Sequence, residues 1–289
     1  MNEPDGKIDI DVYWEYSDLA ASETRFRAAL DKVEGDLRLE ILTQIGRTFS
    51  LRGRFEEAHE ILNDVEKQLG SARTRPLARY LLERGRTFNS NGEKEKAREL
   101  FIQAWEQANE AELDDLAVDA AHMIAITFSG SLDGAEWNQH GLAVARSSQD
   151  PKAKGLIPAM LNNSAWDFHS IGRFEEALVL FEEAQTEWTS RGILERIQIA
   201  KWSVARCLRS LERYDEALAI QQALESEHKN AGTTDGYVFE EIAENLASLG
   251  RHREAKTYFK MAYIELGKDE WFTRNESNRL ESLKLRAGK

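Results

Sequence analysis

Six short segments of this 289-residue chain repeat one arrangement, a small residue three places before an aromatic residue or leucine. The pairs are Gly46 and Phe49, Gly85 and Phe88, Ala125 and Phe128, Ala165 and Phe168, Ala205 and Leu208, and Ala243 and Leu246. The successive small residues stand 39, 40, 40, 40 and 38 positions apart. A fixed period of this length constrains the fold more than any local motif, because each unit can cover its apolar face only by stacking on its neighbours.

After most of these segments comes a turn of similar composition, as in Leu51-Arg52-Gly53-Arg54-Phe55 and Ser170-Ile171-Gly172-Arg173-Phe174. Glycine there ends a helix at low steric cost. Acidic residues then open a second helix, in Glu56-Glu57, Glu175-Glu176 and Asp215-Glu216, which suits the positive end of its dipole. Inside it Ala58, Ala97, Ala177, Ala217 and Ala255 are followed four residues later by Leu62, Phe101, Phe181, Gln221 and Phe259. Three further on stand Val65, Ala104, Ala184, Leu224 and Ala262. Small residues let paired helices approach, and the larger ones fill the space beside them.

This arrangement resembles the tetratricopeptide repeat, Trp-x2-Leu-Gly-x2-Tyr followed by Ala-x3-Phe and a further small residue. The family's usual unit is about 34 residues, so units of 38 to 40 residues resemble its long-repeat members, such as kinesin light chains and Rap-type regulators of bacteria. The resemblance implies an all-α, right-handed superhelical solenoid of about six helix-turn-helix units with capping helices at both ends. The expected organisation is an N-terminal segment and capping helix at 1–36 and units at about 37–76, 77–116, 117–156, 157–196, 197–234 and 235–266. A closing helix and tail follow at 267–289. Phe26, Ala29, Leu30 and Val33 mark the first cap, and Trp271, Phe272, Leu280, Leu283 and Leu285 the last. The third unit is irregular: Ser129-Gly130-Ser131-Leu132-Asp133-Gly134 leads into Ala135-Glu136-Trp137 and the alanine-to-phenylalanine spacing is lost, so a bend or an altered helix pair is expected there.

The formal net charge of −13 would repel phosphates and anionic membranes, so neither nucleic acid nor membrane insertion is expected. No stretch supplies the roughly 18 apolar residues of a spanning helix. The start, Met1-Asn2-Glu3-Pro4-Asp5-Gly6-Lys7, is too acidic for a secretory signal, and with a single cysteine, Cys207, the expected location is the cytoplasm. Residues 1–8 and 287–289 are expected to be mobile ends.

No enzyme, metal or cofactor is expected. Gly-x-Gly-x-x-Gly, Walker-type, His-Glu-x-x-His and Gly-x-Ser-x-Gly motifs are all missing, and the six histidines form no pair at a spacing of three or four. Cys207 reads as a small interhelical residue. Asp9-Ile10-Asp11-Val12 resembles the Asp-x-Asp of haloacid-dehalogenase-type phosphoryl-transfer enzymes, but no α/β pattern follows and a solvated N-terminal segment fits better.

What remains is the surface that such an architecture creates. The resemblance implies that first helices line the concave side through positions 2, 5, 9 and 12, counting the small residue as 8; helical spacing places these four on one face. Position 9 runs Arg47, Arg86, Ile126, Trp166, Arg206, Glu244, three arginines in an acidic chain. The fourth and fifth units add Asn162, His169, Trp202 and Arg209 without an acid at these positions, and Asn89 lies at position 12 of the second. Arginine grips carboxylates with two hydrogen bonds, asparagine pairs with peptide backbone and tryptophan is a large anchor. The candidate groove is therefore Arg47, Arg86, Asn89, Asn162, Trp166, His169, Trp202, Arg206 and Arg209. Its expected partner is a protein or peptide segment carrying an acidic or terminal carboxylate and an apolar side chain, bound by a scaffold or adaptor. A peptide- or small-ligand-sensing regulator is the alternative, and homo-oligomerisation through a repeat face stays open.

Overall fold

The aromatic residue or leucine that recurs in each first helix also explains where that helix stops. The carbonyls of Phe49, Phe88, Phe168, Leu208 and Leu246 accept the backbone N–H five residues on, from Arg54, Glu93, Arg173, Arg213 and Arg251, at 2.8 to 3.0 Å. Closing that loop takes one left-handed residue. Gly53, Gly92, Gly172 and Gly250 supply it with φ between 73° and 86°, and in the fifth pair Glu212 takes the same conformation at φ 60°. The recurring side chain is also covered from outside: the guanidinium of Arg54 lies 4.5 Å from the Phe49 ring, and that of Arg173 lies 4.6 Å from Phe168.

These local rules produce sixteen α-helices among the described residues, and no strand. The structure, a computed structural model, describes residues 9–71 and 74–288; the start expected to be mobile, 1–8, lies outside the described residues, as does Lys289. The chain forms two compact units, Met1–Met160 and Leu161–Lys289. The first holds α1 (Leu19–Leu30), the pairs α2 (Gly35–Leu51) with α3 (Phe55–Glu66), α4 (Thr74–Ser90) with α5 (Lys94–Glu110) and α6 (Asp114–Thr127) with α7 (Leu132–Ser147), and the short α8 (Pro151–Gly155). The boundary falls within α9 (Ile157–Ser170). The second unit continues with α10 (Phe174–Arg191), the pairs α11 (Leu194–Ser210) with α12 (Tyr214–Asn230) and α13 (Gly236–Ser248) with α14 (His252–Leu266), then α15 (Glu270–Asn275) and α16 (Ser277–Arg286). This is an all-α array of tandem helix-turn-helix repeats of the TPR-like kind, with further helices at its ends.

In the first unit Leu62, Val65, Leu82, Phe101, Ala104 and Ile124 form one buried cluster, while Phe26 and Ala29 of α1 join Ile41 and Ile45 in another. In the second unit Phe259, Ala262 and Leu266 of α14 are closed over by Phe272 of α15 and Leu283 of α16. Trp271 faces outward, 59% exposed, so the end is covered by Phe272 rather than by the larger ring beside it.

The third pair is altered in a legible way. Asn138, Leu142 and Ala145 of α7 are all fully buried at the spacing that alanine, phenylalanine and alanine keep elsewhere. Asparagine has taken the small position, close enough to His122 of α6 to oppose the lowering of that imidazole by burial. The short α8 then stands between this pair and α9.

Candidate functional site

One acid settles what the arginines of the first helices touch. Glu83 of α4 sits at position 6 in the numbering of the second repeat, fully buried. Its Oε1 accepts from Arg86 Nη1 at 2.9 Å, from Gln44 Nε2 at 3.2 Å and from Arg47 Nη1 at 3.4 Å. Arg86 also donates to Asp119 of α6. Burial by itself would raise the Asp119 carboxyl, but the charge and hydrogen bond of Arg86, with Arg47 and Arg79 behind, hold it below its ordinary value. Arg47 and Arg86 are thus matched by acids. Asn89 is half-buried, with a side-chain oxygen that no donor reaches.

The second unit repeats the device with a different balance. Glu241 occupies position 6 of α13 and is 2% exposed. It accepts two hydrogen bonds from Arg209, Nε to Oε2 at 2.7 Å and Nη2 to Oε1 at 3.0 Å, while Arg206 reaches it only through Nε at 3.3 Å. The two guanidinium groups respond in opposite senses. Burial alone would depress Arg209, but the hydrogen bond and charge of Glu241 outweigh it and raise its pKa. For Arg206 burial wins over Glu241, and the nearby charges of Arg209 and Arg279 add to it, so its pKa falls below the ordinary value. The bidentate geometry accounts for the contrast: the carboxylate is already engaged by Arg209. Arg206 stays protonated at neutral pH and holds a positive charge that its surroundings only partly compensate. The acids of α13 nearest it are committed elsewhere, Glu240 to Arg279 at 2.6 Å and Glu244 to Arg286.

Arg206 Nη1 also donates to Ser210 Oγ at 2.8 Å, and the same hydroxyl lies 2.9 Å from His169 Nε2. Burial, helped by the charges of Arg206 and Arg209, pushes the His169 imidazole down to about 4. The neutral ring can then accept the Ser210 hydroxyl proton. Stability follows from the sign of that shift: between the unfolded value of about 6.5 and the folded value, the unfolded chain takes up a proton that the folded one refuses. The second unit is therefore expected to lose stability as the pH falls through 6.5, and His169→Gln should flatten that part of the profile. Urea unfolding at pH 7 and pH 5 checks this; equal losses in the variant and the parent would exclude His169 as the source. The ring is only half-buried, so solvent screening keeps the effect modest.

Along the same face runs a series of rings. Trp166 of α9 lies 6.1 Å from Trp202 of α11, Trp202 lies 6.3 Å from Tyr237 of α13, and Tyr237 lies 5.8 Å from Phe272 of α15. Trp166 also meets the His169 ring edge-on at 5.1 Å, and Asn162 stands one turn before it, half-buried. Beside Trp202 opens a cavity of about 370 Å³ walled by Ile199, Trp202, Leu224, His228, Tyr237 and Val238. The buried indole Nε1–H of Trp202 has no acceptor. Cys207, on the opposite side of α11, donates its thiol to the Phe174 carbonyl at 3.3 Å, and burial pushes that thiol up to about 11.

Position numbering from the sequence therefore brings Asn162, Trp166, His169, Trp202, Arg206 and Arg209 together on one face of the second unit, with Arg47, Arg86 and Asn89 on a corresponding face of the first. It passes over Glu83 and Glu241, which stand at position 6. Their signal is an acid 36 or 35 residues after a position-9 arginine, close to one repeat period. Among the described residues no group of three or more His, Cys, Asp or Glu side chains could hold a metal ion, and no helix is long and apolar enough to cross a membrane.

No protein-family model and no curated protein sequence matches this chain. Solved structures share its fold. The apo form of RapI aligns over 90% of this chain and 76% of its own, with a TM-score of 0.72 and 12% identity. A multidomain signal-transduction ATPase with a tetratricopeptide repeat sensor, from Pyrococcus horikoshii, aligns over 92% of this chain with a TM-score of 0.74 and 10% identity; this chain spans only 41% of that protein. NprR in complex with its cognate peptide NprX aligns over 95% of this chain and 81% of its own, with a TM-score of 0.55 and 15% identity. At these identities the likeness establishes the fold, a TPR-like repeat array.

Proposed function

We propose that the chain is a protein-interaction module whose second unit binds a peptide segment of a partner, with a carboxylate at Arg206 and an apolar or aromatic side chain against Trp202 and Tyr237. The observation that carries this reading is the unequal sharing of Glu241, which leaves Arg206 under-compensated at the edge of a run of aromatic rings. A carboxylate from outside would complete for Arg206 the two-bond pairing that Glu241 gives to Arg209. The cavity beside Trp202 has the volume for one large side chain. Tryptophan and arginine dominate binding hot spots because they combine large contact area with directed hydrogen bonds. NprR, which shares the fold, was solved with a peptide bound; carrying a peptide ligand over to this chain is our inference.

An array of octapeptides that vary independently in acidic and aromatic content tests the proposal. Peptides with both features should be retained above those with either alone, and Arg206→Gln should weaken the best of them about tenfold or more, the loss of one charge-assisted hydrogen-bonded contact. A variant that melts like the parent and binds the same peptides equally well would remove Arg206 from the site. An array with no preference for acid-plus-aromatic peptides would end the proposal.

A further inference from the structure

In the Asp9-Ile10-Asp11-Val12 stretch Asp9, Asp11 and Val12 are exposed, as expected of a solvated segment, but Ile10 is not, and the stretch is tied to the rest of the first unit at both ends. Residues Ile10–Tyr13 form a single 3-10 turn, started by the Asp9 carboxylate accepting from the Asp11 N–H, and Ile10 is 5% exposed. At one end Trp14 is pinned: its Nε1–H donates to Gln44 Oε1 at 3.2 Å, the Arg47 guanidinium lies 5.4 Å from its ring, and the ring meets Phe26 edge-on at 5.2 Å. At the other end Lys152 of α8 donates to Asp9 Oδ1 at 2.7 Å and stands 2.6 Å from Asp11 Oδ2. The Lys152 hydrogen bond does most to hold the Asp9 carboxyl below its ordinary value; burial opposes it, and the charge of Arg79 in α4 adds to the lowering. Six residues thus run within the first unit from α2, under the influence of a cation on α4, to α8.

These are the contacts a bound acidic peptide would make: two carboxylates on one ammonium, with the aliphatic side chain between them buried. We propose that this face of the first unit, with Lys152 as its cation, is a second binding surface, separate from the one in the second unit. Its partner is a protein segment carrying an acid-aliphatic-acid sequence, and residues 9–12 occupy the surface as an internal surrogate that the partner displaces. Trp14, held by α1 and α2, is the anchor that stays.

The two halves of the segment differ in how firmly they are held. Lys152, Asp9 and Asp11 all keep side chains between 42% and 51% exposed, and ion pairs so open to water contribute little. The surrogate nevertheless competes well while tethered, because a short linker keeps it at millimolar effective concentration. A free peptide of the same chemistry should therefore bind the parent chain weakly and a chain with a disabled surrogate much better.

The test uses the full chain and a fluorescein-labelled peptide Ile-Asp-Ile-Asp-Val-Tyr as the probe, read by anisotropy. The triple variant Asp9→Asn, Ile10→Ser, Asp11→Asn should bind it at least about tenfold more tightly than the parent. Adding Lys152→Glu to the triple variant should abolish that gain. Hydrogen exchange supplies the second readout: amides 10–13 should exchange faster in the triple variant while those of α2 keep their protection, which shows release without unfolding. Equal probe binding by parent and triple variant would overturn the proposal, as would a gain that survives Lys152→Glu.

Discussion

Glu241→Ala is expected to lower the stability of the second unit by about 3 kcal/mol, the low end of what breaking a buried ion pair costs. The variant leaves two guanidinium groups side by side with no carboxylate between them. Each keeps only about a quarter of its side chain exposed, 26% for Arg206 and 22% for Arg209, so water can solvate them in part but not replace the anion. That residual access is the reason to choose the low end. Urea unfolding followed by tryptophan fluorescence measures the loss. The same variant should regain stability when acetate or sulfate is added, because an anion entering the vacated position binds the folded state alone. Parent-like stability would mean that Glu241 is not the counter-ion of the pair. A loss that no added anion relieves would mean that the position is closed to ligands from solvent.

Glu241 also marks the limit of what the sequence makes legible. Counting from the small residue at position 8 identifies the helix face that carries Trp166, Trp202, Arg206 and Arg209, because helical spacing alone puts positions 2, 5, 9 and 12 together. Position 6 belongs to the side that meets the preceding first helix. An acid there reads as one more carboxylate in a chain with 51 of them, and its pairing depends on how adjacent helices are staggered, which a single helix does not contain. The stagger brings Arg47 to Glu83 and Arg206 to Glu241, position 9 of one unit to position 6 of the next, in both compact units. The acid has a different outcome in each. In the first unit Arg86 has Asp119 as well as Glu83, and its charge is matched. In the second, position 2 of the following first helix is Tyr237, a ring where the first unit has Asp119, so Arg206 must share.

The third pair was obscured for the opposite reason, an unexpected residue in an ordinary place. Asn138 replaces alanine at a fully buried position, where burying an amide is costly. A search for small apolar residues passes over it, although Leu142 and Ala145 keep the spacing. Asp9 and Asp11 read as part of a solvated segment because no α/β pattern follows them; the cation they meet is 143 and 141 residues away. Docking of that kind is a tertiary fact with no local signature.

The pair α4–α5 rests on the contact between a small residue and a ring, and Phe101→Ala is expected to destabilise the first unit by about 4 kcal/mol. Phe101 is fully buried between Ala97, Ala104 and the α4 backbone at Gly85. A methyl group built on Gly85 would lie 2.5 Å from Phe101 Cε1 and 2.7 Å from Cδ1, well inside contact distance. Gly85→Ala alone should therefore cost about 1–3 kcal/mol through overpacking, even though alanine is the better helix former by about 1 kcal/mol. The two changes are not independent. Once the ring is gone, the added methyl no longer clashes; it enters the space that Phe101 vacates, and the gain in helix propensity is free to appear. The double variant should be no less stable than Phe101→Ala, and its loss should fall short of the sum of the single losses by about 2 kcal/mol, against the 0.3–0.5 kcal/mol expected of unconnected sites. Urea unfolding of the four proteins closes the cycle. Additive losses would mean that the ring and the glycine do not face one another, and that the recurring small residue serves something other than close approach of the second helix.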